Sequence, residues 1–279
     1  MIWGYANGWW PQFLMRDDDE LYAKLKFLLA HDLQETGVPL SEVSERSDEE
    51  RGRLGEFLTE NDLHLTPSVW FDYLHTDEAE ARRKAEEIAA DLEICGPLMR
   101  AWSVMTKAGA GHRFDRDPPI EDKLDRICLS MAPLAQACHE LDMPLMIDTQ
   151  GDFYSTDFVE MCRRVPHLYL HVDTANIFWA GERVRPAFER MAPHIIGTHW
   201  RDERVTIGNR KPRGVLLHNC VTGQGDVPLR ELYGVLMEKA PDPDRLVMQL
   251  EMFGPREMDP LECLEQSLAF ARSLGEESS

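Results

Sequence analysis

Four residues in the second half of the chain carry side chains suited to a divalent metal ion: Asp148, Asp173, His199 and Glu251. Each closes an apolar run: Pro144-Leu-Met-Ile-Asp148, Leu168-Tyr-Leu-His-Val-Asp173, Ile195-Ile-Gly-Thr-His199 and Leu246-Val-Met-Gln-Leu-Glu251. The runs read as short buried strands, each delivering one ligand at its C-terminal end. Spacings of 25, 26 and 52 residues separate the four, and one strand plus one helix accounts for each of the first two steps. Taken singly, a strand-end Asp serves as a turn or cap residue, a His as a hydrogen-bonded core residue, and Glu251 as a partner for Arg256. Four such residues ending four strands in one half of the chain are harder to explain that way. Three carboxylates and an imidazole without a thiolate suit one divalent ion, Mn2+ first, with Mg2+, Co2+ and Zn2+ as alternatives.

The rest of the chain supplies what such a site needs to converge. Strands are predicted at 2–6, 37–40, 63–70, 98–104, 144–148, 168–173, 195–199 and 246–251. Between them lie helical patterns at 20–34, 47–60, 77–94, 120–141, 155–164, 183–192, 229–239 and 260–274. Ser47 with Glu50 three residues on is a capping box. The polar stretch 107–119 and the aperiodic stretch 201–225 read as loops. Alternating strands and helices with continuous apolar strands predict a parallel sheet covered on both faces. Eight such units in 279 residues predict a (β/α)8 barrel forming a single domain over 1–279. No GxGxxG turn follows the first strand to favour a dinucleotide fold. In a barrel, the C-terminal strand ends meet at one mouth, so Asp148, Asp173, His199 and Glu251 fall along half of its rim.

Composition narrows the partners. A formal charge of −20 offers no cationic footprint for nucleic acid or an anionic membrane surface. Six scattered cysteines without a CxxC pair fit neither a zinc finger nor a disulfide framework. The opening Met1-Ile-Trp-Gly-Tyr-Ala-Asn lacks a secretory leader pattern, and no apolar run approaches the roughly 20 residues of a membrane span. A reduced, cytoplasmic setting is expected.

Aromatic residues cluster near the same strand ends. Trp9, Trp179 and Trp200 are candidates for an apolar wall that excludes water and stacks on a ligand's ring or carbon chain, with Trp10 and Trp70 close by and ordinary packing as the alternative. Behind His199 lie Arg201, Arg204, Arg210, Lys211 and Arg213. They read either as a solvated loop or as a clamp for a carboxylate or phosphate, to which Arg201 and Arg204 would contribute.

These stretches resemble the xylose-isomerase-like sugar isomerases and epimerases. That family carries Glu-Asn-His-Gly, Asp-Thr-x-His, His-x-Lys-Asp and Gly-x-Gly-x-Ile-Asp stretches and a final strand Glu. The counterparts here are Asp148-Thr-Gln150-Gly151, Asp173-Thr-Ala-Asn176, His199-Trp-Arg-Asp202, Gly223-Gln-Gly225-Asp-Val and Glu251. Asp148 stands where the family has a glutamate, and Gln150 and Asn176 where it has histidines. The resemblance implies a barrel with a divalent metal at Asp148, Asp173, His199 and Glu251, and two metal-bound carboxylates exchanging a substrate proton. Glu251 is then the first choice for acid/base and Asp148 the second, with Gln150 and Asn176 hydrogen-bonding substrate hydroxyls. A DNA-repair role, which the related multi-zinc endonucleases have, is disfavoured by the missing histidines and the charge.

The expected function is a divalent-metal-dependent isomerase or epimerase of a keto-sugar or sugar acid, working through a metal-stabilised enediolate. The alternative is a lyase, decarboxylating or dehydrating a 3-oxo sugar acid in the same site. A non-catalytic sugar-binding barrel ranks third. The expected partner is the small-molecule substrate, in a homodimer or homotetramer.

Overall fold

Eight parallel strands close into a ring, and helices on its outside return the chain from each strand to the next. The computed structural model describes residues 1–6, 19–109, 111–209, 214–252 and 254–276. In chain order the elements are β1 (Ile2–Tyr5), α1 (Glu20–Ala30), β2 (Glu35–Pro39), α2 (Leu40–Ser44), α3 (Asp48–Glu60), β3 (His64–Ser68) and α4 (Glu78–Met99). There follow β4 (Val104–Lys107), α5 (Ile120–Glu140), β5 (Leu145–Asp148), α6 (Ser155–Arg164), β6 (Leu168–Asp173), α7 (Asn176–Trp179) and α8 (Val184–Met191). The chain ends with β7 (Ile195–Trp200), β8 (Glu203–Ile207), β9 (Val215–Asn219), α9 (Leu229–Lys239), β10 (Val247–Leu250) and α10 (Pro260–Glu276). The barrel runs β1-β10-β7-β6-β5-β4-β3-β2, and β1 closes it by pairing with both β10 and β2. β8 and β9 form a separate antiparallel hairpin.

Strand alternation divides each strand between two layers. Leu145, Ile147, Leu170, Val172 and Leu250 are buried on the outer face under the helices, where each contributes about 1.5–3 kcal/mol by leaving water. The inner face is more polar. Glu35, His171 and Gln249 are all 0% exposed, and small residues give them room. A Cβ on Gly4 would lie 2.4 Å from Glu35 Oε2, a clash that leaves only glycine there.

Several elements differ from the sequence reading, each for a visible reason. The fourth strand is Val104–Lys107, not 98–104, because α4 runs on through Pro97 to Met99 and ends at Arg100 in the left-handed region, φ 52°. Leu98 and Met99 belong to that helix, so the apolar run was misassigned by its composition. The second strand begins at Glu35, before the predicted 37–40, because a buried carboxylate sits inside the barrel where an apolar residue was expected. The stretch 201–225, predicted as a loop, contains the β8–β9 hairpin. Ser47 and Glu50 do form the capping box at α3, with Ser47 N donating to Glu50 Oε2 at 2.9 Å. All six cysteines are buried free thiols, and no described helix is long and apolar enough to cross a membrane.

Candidate metal centre

β5, β6, β7 and β10 end side by side, and their registers bring the sequence candidates to one mouth. Asp148 is level with His171, Asp173 with His199, and Gln249, which precedes Glu251 by two, with His199. A cavity of about 610 Å3 opens above them, lined by Asp148, Asp173, His199, Arg201 and Glu251. Trp179 and Gln150 also line it.

The four predicted ligands do not gather as one equal set. They fall into two groups of three that share His199: Asp173, His199 and Glu251, and Asp148, His171 and His199, with the ligand atoms of each group within 4.8 Å of one another. His199 Nδ1 lies 3.4 Å from Asp148 Oδ1 and 3.7 Å from Glu251 Oε2. Asp148 falls in the group with His171, not in the one with Glu251.

Each ligand candidate is positioned by its strand and by backbone partners. Asp173 Oδ1 accepts from Ala175 N at 2.8 Å and Asn176 N at 3.0 Å, which leaves Oδ2 to accept from Arg201 Nη1 at 3.0 Å. The same guanidinium donates to Glu203 Oε1 at 2.6 Å and stands 3.6 Å from Glu251 Oε2. Glu203 in turn accepts from Trp179 Nε1 at 3.1 Å. Gln150 Nε2 donates to Asp148 Oδ2.

The electrostatics call for a cation. Burial works against a charged His199, yet Asp148, Glu251 and Asp173 together push its imidazole up to about 10. Burial likewise opposes ionisation of Asp148, but His199, His171 and Lys107 hold its carboxyl below the usual carboxylate range. Burial raises the Asp173 carboxyl, against the pull of Arg201 and with Glu251 adding to the rise. His171 is the opposite case: burial, with His199 beside it, pushes its imidazole well below the ordinary value. Asp148 Oδ1 and both ring nitrogens of His171 are buried without a directed hydrogen bond. An unpaired buried polar atom costs about 1–3 kcal/mol, and a bound divalent ion would satisfy such lone pairs. The donor set, carboxylates and imidazoles at a cavity floor, fits that role.

The other sequence candidates separate. Trp179 is 58% exposed at the cavity edge, with Arg201 Cζ 5.8 Å from its ring centroid, as a wall residue would be. Trp200 is not in the cavity: it is 0% exposed on the outer face, packed edge-on against Tyr233 of α9. The reason is alternation, since the neighbour of an inward His199 must point outward. Arg204 is exposed on the hairpin and donates to Gln224 O at 2.7 Å, away from the cavity lining. Asn176 borders the cavity, but its amide donates to Thr149 O at 2.8 Å, a structural use. Trp9, Trp10, Arg210, Lys211 and Arg213 lie outside the described residues.

Sequence reasoning missed His171, Glu35, Lys107 and Glu203. His171 had a signal: it stands two residues before Asp173 on the same strand, and therefore on the same face. Lys107 lines the cavity from the end of β4 and was hidden by the misplaced fourth strand. Glu35 and Glu203 sit in polar stretches that gave no strand pattern.

The chain belongs to the xylose isomerase-like TIM barrel family, whose model matches residues 30–274. It is similar to the uncharacterized protein YihM of Escherichia coli K12, 28% identical over 186 residues. That match covers 61% of this chain and 56% of YihM, little more than half of that protein's length. The fold is shared with D-psicose 3-epimerase of Clostridium cellulolyticum H10, solved with D-tagatose, at a TM-score of 0.72 and 12% identity over 98% of this chain and 99% of that one. It is shared too with the IolI protein carrying a zinc atom, at a TM-score of 0.71 and 13% identity over 98% of both chains.

Proposed function

We propose that this chain is a divalent-metal-dependent isomerase or epimerase acting on a keto-sugar or sugar acid. The observation that carries the reading is the pair of ligand groups sharing His199 on the floor of one cavity at the C-terminal mouth. In a barrel of this kind that mouth is where chemistry is done. The sugar epimerase sharing the fold supports the substrate class. The residues able to hold the ion are Asp148, Asp173, His199 and Glu251, and a mixed oxygen and nitrogen set admits Mn2+, Mg2+, Co2+ and Zn2+. Once bound, such an ion supplies Lewis acidity, which acidifies the C–H beside a coordinated carbonyl.

The chain's own groups do the rest in this reading. Glu251 has a side chain 16% exposed, against 2% for Asp173 and 4% for Asp148, so it is the carboxylate best placed to take the proton and return it. Arg201 faces the same cavity and would hold an anionic substrate group, while Trp179 covers the edge against water. Small molecules are the partners proposed, in keeping with a net charge of −20.

One observation favours a second reading. Asp148 groups with His171 rather than with Glu251, and it is one methylene shorter than a glutamate, which shortens its reach to a substrate carbon opposite Glu251. A lyase, decarboxylating or dehydrating a 3-oxo sugar acid, needs an electron sink and an anion clamp but only one proton donor. The experiment is a screen of keto-sugars and their acids with added metal in D2O. Deuterium in the recovered sugar or its epimer supports isomerisation, and release of CO2 or water supports the lyase. Glu251→Gln should lower either rate by roughly 10²–10⁴-fold. Turnover that persists in that variant would remove Glu251 from the chemistry.

A further inference from the structure

The polar side chains around the cavity divide by what already holds them. On the side built from β5, β6, β7 and β10 the cation is Arg201, and its guanidinium meets three carboxylates: Asp173 at 3.0 Å, Glu203 at 2.6 Å and Glu251 at 3.6 Å. The amides on that side are held as well, since Gln150 donates to Asp148, Asn176 to Thr149 O and Gln249 to Glu35. The opposite wall comes from β1 to β4, and Val38, Pro39 and Met105 make much of it apolar. Two polar groups interrupt it, Ser68 at the end of β3 and Lys107 at the end of β4. Among the described residues, neither side chain makes a hydrogen bond or an ion pair.

Lys107 faces the cavity because of strand alternation: Thr106 turns the other way, to Tyr73 Oη at 2.8 Å, and Met105 and Lys107 line the mouth. Lys107 is level with Asp148 on the neighbouring strand, and its charge helps to keep that carboxyl ionised. It does not pair with Asp148, whose oxygens face Gln150 Nε2 and, at 3.4 Å, His199 Nδ1. In the ring of eight, β4 lies four strands from β10 in either direction, so Lys107 and Glu251 stand on opposite strands. Three carboxylates and two cations line the cavity among the described residues, and an acid is attracted where a cation stands clear of those carboxylates. We infer that Lys107 binds a carboxylate at the end of the substrate remote from the carbon that reacts beside Glu251, with the Ser68 hydroxyl as a second donor. This inference rests on the isomerase or epimerase reading above and selects the sugar acid over the neutral keto-sugar. Arg201 then serves the reacting end, where negative charge develops on the substrate oxygens. One ammonium and one hydroxyl suit a carboxylate, whereas a phosphate dianion calls for more donors.

The test compares matched pairs by isothermal titration into the intact chain loaded with Mn2+: D-tagatose with D-tagaturonate, and D-fructose with D-fructuronate. The members of each pair differ only in carrying a hydroxymethyl or a carboxylate group at the end remote from the carbonyl. Wild type should bind the acid of a pair roughly tenfold more tightly than the neutral sugar. Lys107→Met should bring that ratio to about one, Lys107→Arg should restore it, and added salt should reduce it. Lys107 is exposed, so these replacements leave the core untouched. In turnover followed in D2O, the loss in Lys107→Met should fall on KM for the acid and not on kcat. No preference for the acid in wild type, or an equal loss for both members of a pair in Lys107→Met, overturns the inference. A preference that survives Lys107→Met also overturns it and leaves the carboxylate with Arg201. Tighter binding of D-tagatose 6-phosphate than of D-tagaturonate overturns the choice of a carboxylate. Turnover of a neutral ketose without preference for its acid sinks this inference alone. A screen in which no keto-sugar or keto-acid binds or turns over with Mn2+, Mg2+, Co2+ or Zn2+ overturns the isomerase reading beneath it as well.

Discussion

At the scale of single residues, the barrel interior is governed by a few buried polar groups whose neighbours determine their charge. Glu35 is fully buried, and burial pushes its carboxyl up to about 7, although hydrogen bonds from Thr66 and Gln249 pull the other way. Gln249 Nε2 donates to its two oxygens at 2.9 and 2.8 Å. Because the folded chain holds this proton more tightly than the unfolded chain does, stability is fully present below about pH 4.5 and is lost as pH rises through about 7. A shift of that size corresponds to a loss on the order of 3 kcal/mol above that window. Glu35→Gln keeps the shape and removes the titration. The gap in melting temperature between Glu35→Gln and wild type should therefore widen in favour of the variant from pH 5 to pH 8. A gap that stays constant with pH would show that Glu35 ionises normally.

At the scale of elements, the mouth depends on a carboxylate that joins two segments far apart in sequence. Asp202 follows β7 and accepts from the backbone N–H of Gly223 at 2.9 Å, Gly225 at 2.8 Å and Val227 at 3.1 Å. It thus ties the base of the β8–β9 hairpin to the loop before α9, and the hairpin begins with Glu203, which holds Arg201. Asp202→Ala leaves three backbone donors without their partner, that of Val227 buried and those of Gly223 and Gly225 partly so, and should cost about 1–3 kcal/mol. In urea the midpoint should fall with the slope unchanged. Because Arg201 loses its support, KM for an acidic substrate should rise as well. A midpoint within experimental error of wild type would mean that the loop is held by something else.

At the scale of the whole molecule, the ion would join strands from one half of the ring. Binding to the folded chain alone stabilises it by about 2.7 kcal/mol at a hundredfold excess over Kd, or roughly 5 °C for a chain of this size. Melting temperature should rise with added Zn2+ or Mn2+ and return to its starting value with EDTA. His199→Ala, which removes the residue common to both ligand groups, should abolish the rise and the copurifying metal. Equal metal content in that variant would sink the assignment. The six buried cysteines offer a separate check on the ring: with a thiol reagent they should react slowly in the native chain and fully once it is unfolded.

Much of this architecture was legible from residues alone. Apolar runs ending in Asp148, Asp173 and His199 are strands because their composition and spacing admit little else, and β5 and β6 end where those residues stand. The capping box at Ser47 and the helices at 155–164 and 229–239 were equally local. Local pattern failed where a tertiary contact outweighed it. The helix Glu78–Met99 continues across Pro97, and its end packs against the turn between α5 and β5, so close at Gly96 that a Cβ there would stand 2.6 Å from the Met143 side chain. Glu35 enters a strand because the barrel interior supplies Gln249 to receive it. Trp200 and Arg204 left the site for reasons of direction, which a run of letters does not carry. The grouping of Asp148 with His171, and of Asp173 and Glu251 with Arg201, was decided by strand register. Residue type names the chemistry a side chain can do. Only closure of the ring determines which side chains meet, because parallel strands align residues 23 or more positions apart to within a few ångströms.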